Sequence, residues 1–117
     1  MRPTHKELSG KIKGAASAVT KRRIRLVEPL VIAIDAQELG YDIRSELLCV
    51  LSELLTVCTP ELYVGHTPPQ KSYETMIKNQ ELFAFKVNIE RFKDTVFVKF
   101  CLVSDVFYLV SLHRDRI

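Results

Sequence analysis

The chain has 117 residues, 47% of them hydrophobic, with 17 Lys/Arg against 14 Asp/Glu for a formal net charge of +3; this composition fits a single globular domain over 1–117 with its own core and argues against disorder or a second domain. Three cysteines, Cys49, Cys58 and Cys101, contain no C-x-x-C spacing, and Cys49 and Cys101 lie in apolar runs, which disfavours a disulfide scaffold and predicts a reduced, cytoplasmic protein. No apolar run reaches bilayer-spanning length and the N-terminus lacks the apolar region of a signal peptide, so no membrane association is expected.

Charge is unevenly distributed. Residues 1–25 hold eight Lys/Arg against Glu7 alone, whereas residues 26–62 hold Arg44 against seven acids. A clustered basic segment is either the footprint of an anionic partner, most often nucleic acid, or a solvated helix or arm. From Thr4 to Val19 the pattern predicts a helix with Thr4 as N-cap and Glu7 completing a capping box, weakened by Gly10 and Gly14. Lys21, Arg22, Arg23 and Arg25 follow as candidate phosphate contacts, while Ile24 and Leu26 let the same stretch pass for a short strand.

Pro29 at a first-turn position and Gly40 at a helix end bracket a second helix over PLVIAIDAQEL. Its polar strip is narrow, Asp35 and Glu38, so it is expected to be buried on most sides. Asp42 caps a third helix, residues 44–57, whose stripe of Leu47, Val50, Leu51, Leu54 and Leu55 reads as core; Thr59 and Pro60 end it. Residues 61–80 form an irregular connector held by Gly65, Pro68 and Pro69, bringing His66, Gln70 and Lys71 close in sequence, with Ser72 as the cap of a short helix containing Tyr73 and Met76.

Three strand patterns fill residues 81–116. Phe83, Phe85, Val87 and Ile89 alternate in the first, Val96, Val98, Phe100 and Leu102 in the second, and Val106, Tyr108, Val110 and Leu112 in the third. The opposite parity places Lys86 and Asn88, Phe97 and Lys99, and Ser111 and His113 on one open face. The expected fold is α+β, with N-terminal helices packed on one face of a C-terminal antiparallel meander. The third helix is expected to cover Phe83, Phe85, Val98, Phe100, Tyr108 and Val110.

No metal or cofactor is expected: His5, His66 and His113 lack ligand spacing, and neither G-x-G-x-x-G nor G-x-S-x-G occurs. What remains is a set of Lys, Arg, His and Tyr. Metal-free RNA cleavage needs a base for the 2′-hydroxyl, cations for the phosphorane and an acid for the leaving 5′-oxygen. His113 is the candidate base, Lys86, Lys99, Arg114 and Arg116 the candidate cations, and Lys71 and His66 reach in from the connector. Phe97 or Tyr73 offers a π-face on which an unpaired base can stack.

The segments AIDAQELGYD, ELYVG and VFVKFCLVSDVFYLVSLHRD, in that order, resemble the MqsR-type toxins of toxin-antitoxin systems, from about Arg25 to the C-terminus. The resemblance implies a RelE-like ribonuclease fold, a metal-independent mRNA endoribonuclease activity, RNA as substrate, free or on the ribosome, and a cognate antitoxin as partner. The chain departs from that pattern where the family has a catalytic tyrosine and this sequence has Phe97, where a family lysine is replaced by Val64, and where the lysine after the final V-S-F is replaced by His113. Either the site is rebuilt with His113, Arg114, Lys71, Tyr73 and Lys86, or the scaffold serves as a non-catalytic RNA-binding or protein-interaction regulator.

Overall fold

The computed structural model describes residues 2–116, so that Met1 and Ile117 lie outside the description. In chain order the elements are α1 (His5–Thr20), β1 (Ile24–Leu26), α2 (Pro29–Leu39), α3 (Ile43–Val57), a connector with 3-10 turns at Pro60–Leu62 and Thr75–Ile77, β2 (Phe83–Ile89), β3 (Asp94–Val103) and β4 (Val106–Arg114). This is the expected α+β arrangement, helices first and strands last. The sheet gains a fourth strand, because Ile24–Leu26 pairs parallel to β4 and gives the order β1-β4-β3-β2.

Local chemistry sets the helix ends. Thr4 accepts a hydrogen bond from the Glu7 amide at 3.1 Å, but the Glu7 carboxylate turns to Arg2 instead of closing the capping box. Pro29 opens α2, and Gly40, at φ 87°, closes it in the left-handed region that an L side chain resists. Asp42 caps α3, and Glu46 reciprocates by accepting from the Asp42 amide at 2.9 Å. Ser104 and Asp105, both at positive φ, make the two-residue turn between β3 and β4.

α1 and α3 pack against each other and against the sheet. Leu8, Ile12 and Ala15 of α1 and Val50, Leu51 and Leu54 of α3 meet Phe83, Phe85, Val98 and Phe100 in one core. Phe100 is central, with its ring centroid 6.0 Å from Phe85 and 4.9 Å from Phe107. Cys58 and Cys101 are buried, whereas Cys49, despite its apolar neighbours in sequence, is exposed.

Two further expectations need correction. In β4 the core residues are Phe107, Leu109 and Leu112, not Val106, Tyr108 and Val110. The ladder pairs Phe100 with Leu109 but Lys99 with Ser111, leaving Val110 as the extra residue of a bulge. One inserted residue reverses the inward parity, so no single alternation describes the strand. α2 is not buried on most sides: Ile32, Ala36 and Leu39 face the core, but Leu30 and Ile34 are 75% and 56% exposed, and of the expected polar strip only Glu38 is exposed, Asp35 being buried. Arg116 explains the buried acid: it follows β4 and places Nη2 3.1 Å from Asp35 Oδ1.

Candidate functional site

The sheet face away from α1 and α3 is ordered in rows across the strands. Lys86, Phe97 and His113 stand side by side on β2, β3 and β4; Ala84, Lys99 and Ser111 form the next row; Cys101, Tyr108 and Arg25 continue it onto β1. His113 stacks on Phe97 with ring centroids 5.1 Å apart and planes inclined by 16°. His113 Nδ1 lies 2.7 Å from the Arg114 carbonyl oxygen, and a carbonyl only accepts, so Nδ1 carries the proton. In the tautomer with this single N–H, Nε2 is left as the acceptor, with no hydrogen-bond partner among the described residues. Lys99 Nζ lies 5.9 Å from the Phe97 centroid.

The connector folds over part of this face. Tyr63 bridges to Phe85, and the Val64 amide donates to the Ala84 carbonyl at 2.9 Å, attaching the segment to the outer edge of β2. The Tyr63 hydroxyl donates to the His66 carbonyl. A Cβ at Gly65 would lie 2.5 Å from Tyr63 Oη, so only glycine lets the phenol cross there. The returning segment is tied by the Lys71–Glu81 bridge and by the Leu82 amide donating to Gln70 O at 2.8 Å. Ser72 does not cap a helix containing Tyr73; its hydroxyl accepts from the Glu74 amide, one turn before the 3-10 segment at Thr75–Ile77.

Two hollows result, each about 250 Å³. One is lined by Val64, Gly65, His66, Gln70, Leu82, Ala84, Phe97 and Lys99. The other is lined by Gln70, Lys71, Tyr73, Lys99, Ser111 and their neighbours. Gln70, Leu82 and Lys99 border both, so the hollows flank one ridge. Cys101 points to this face but is covered, and burial pushes its thiol up to about 11, which makes it a poor nucleophile at neutral pH.

The structure therefore sets Lys86, Phe97 and His113 in one row, with Lys99 and His66 beside Phe97 at the first hollow and Lys71 and Tyr73 at the second, where Tyr73 is 89% exposed. It does not bring in Arg114 or Arg116. Arg114 stands opposite Val96, on the parity of the helix-covered face, with Nη1 2.6 Å from Asp94 Oδ2, and Arg116 is held by Asp35. The basic segment is not a free arm, because α1 buries Leu8, Ile12, Ala15, Ala18 and Val19. Lys21, Arg22, Arg23 and Arg25 are all exposed but divided. Arg25 shares the open face with Tyr108, whereas Arg22 borders a hollow with Leu48, Cys49 and Ser52 of α3.

Sequence reasoning missed Asp115, whose carboxylate lies 3.2 Å from Lys86 Nζ and offsets part of its charge. The alternation that places His113 on this face also points to Asp115 two residues on, so the signal was present. It also missed Ala84, which matters through what it lacks. Among the described residues, no group of three or more His, Cys, Asp or Glu comes together in a way that could hold a metal ion, and no helix is long and apolar enough to cross a membrane. No protein-family model matches the chain, and no curated protein matches it.

Proposed function

We propose that the open sheet face binds single-stranded RNA and that His113 cleaves it without a metal ion, the activity implied by the resemblance to MqsR-type toxins. The carrying observation is the His113 ring, stacked on Phe97 and fixed by the Arg114 carbonyl with Nε2 left as an acceptor. In the proposed step, Nε2 takes the ribose 2′-hydroxyl proton as O2′ attacks the adjacent phosphorus. The P–O5′ bond breaks, and the leaving oxygen takes a proton from solvent, leaving a 2′,3′-cyclic phosphate and a free 5′-hydroxyl. Lys99 stabilises the charge gathering on the phosphorane. A protein inhibitor in the position of the cognate antitoxin belongs to the same reading.

A second reading, RNA binding without cleavage, is favoured by three observations. Phe97 has no hydroxyl, Lys86 is paired with Asp115, and Arg114 and Arg116 are engaged elsewhere. End-labelled RNA incubated with the protein in EDTA separates the two. Under the cleavage reading, His113→Ala removes cutting while binding changes by no more than about threefold. RNA that is bound but left intact by the parent protein would establish the second reading, and cutting by His113→Ala at the parent's rate would place the base elsewhere.

A further inference from the structure

Along the open face β2 presents Ala84 ahead of Lys86. Ala84 pairs with Lys99 across the ladder and has no side chain beyond Cβ to fill the space above it. That omission opens the first hollow, with Phe97 on one side and Gly65 and His66 of the connector on the other. Phe97 stacks on His113 from β4, while the hollow lies toward β2, on the other flank of β3. Phe97 lines the hollow with its ring already stacked on His113 and with Lys99 Nζ 5.9 Å from its centroid. A flat heterocycle entering there meets the Phe97 ring, which His113 already supports by stacking. At about 250 Å³ the space falls below the roughly 300–1,000 Å³ of drug-sized sites, which suits a base and not a whole nucleotide.

We infer that this hollow holds one unpaired nucleobase of a single-stranded RNA, stacked on Phe97 above Ala84, with Gln70 offering donors to its edge. The inference rests on the reading of this face as an RNA site and adds to it the place where a base, as distinct from a phosphate, is held. Every base has a π-face, so the stack supplies affinity, and the phosphates track the cations along the open face, Lys99 at the rim among them.

The test uses fluorescein-labelled hexamers, 2′-O-methylated so that no strand is cut, either wholly abasic or carrying one uracil or guanine at the third position. Fluorescence anisotropy at one salt concentration should show the base-bearing probes binding roughly tenfold more tightly than the abasic one. Ala84→Leu, which fills the hollow, should reduce that gain to less than twofold. Phe97→Leu, which keeps apolar bulk but removes the π-face, should do the same and covers the case in which Ala84→Leu fails to fold. Abasic binding with no gain from a base overturns the base site while leaving the RNA reading standing. Absence of binding by all probes overturns both. A tenfold gain that survives in either folded variant places the base elsewhere and overturns the inference.

Discussion

The bulge at Val110 decides which parity of each half of β4 faces the helices, and it can be tested by comparing Phe107→Ala with Tyr108→Ala. Phe107 is fully buried and stacks on Phe100 at 4.9 Å, whereas Tyr108 is half-buried on the open face. Removing an aromatic ring that buries roughly 150 Å², at about 25 cal/mol per Å², costs about 4 kcal/mol, inside the roughly 3–5 kcal/mol range for Phe-to-Ala changes in cores. A domain of this size is stable by about 5–15 kcal/mol, so Phe107→Ala should fold with a much reduced margin. Tyr108→Ala should cost about 1 kcal/mol or less, as an open-face substitution. Urea denaturation followed by circular dichroism measures both; with a slope of about 2 kcal/mol per M the midpoint of Phe107→Ala should fall by roughly 2 M and that of Tyr108→Ala by under about 0.5 M. The reverse order, with Tyr108→Ala the more damaging, would restore a single uninterrupted alternation through β4 and refute the bulge.

Three further outcomes are expected. Asp115→Asn removes the partner of Lys86 and should add about one phosphate contact, steepening the log–log salt dependence of single-stranded RNA binding by about 0.7; an unchanged slope would mean that Lys86 does not meet RNA. Arg25→Ala, on the open face, should flatten that slope by about 0.7 while Arg22→Ala, beside α3, leaves it alone, and an equal effect of the two would move the phosphate track to the helical side. Burial pushes Cys58 and Tyr41 up to about 12 and Cys101 up to about 11. The folded state therefore holds protons that the unfolded chain releases from about pH 9 upward, so stability should be full below that pH and fall as pH rises toward 12. Cys58→Ala should make the decline shallower in urea midpoints measured from pH 8 to 11, and a parent midpoint that stays flat over this range would contradict the burial of these groups.

What the amino-acid order determined by itself is local. Thr4, Pro29, Gly40 and Asp42 stand where the helix ends fall, because a cap joins groups within about four residues. Alternation in β2 and β3 gave the right inward face, and with it the row of Lys86, Phe97 and His113, since period-two geometry needs no knowledge of the partner strand beyond its adjacency.

Tertiary structure alone decided the rest. The stretch Lys21–Val27 was open between strand and basic arm until β4 offered it an edge to pair with. The run from Val106 to Leu112 is so nearly apolar throughout that either parity could face inward, and the bulge, made jointly with β3, selects one for each half. Asp35 reads as a solvent-facing residue of α2 because its cation, Arg116, lies 81 positions away. The hollow above Ala84 exists only where a connector tied to the far edge of β2 returns beside Phe97. In each case the deciding energy comes from a partner distant in sequence, in a ladder, an ion pair or a covered surface, so no local pattern carries it.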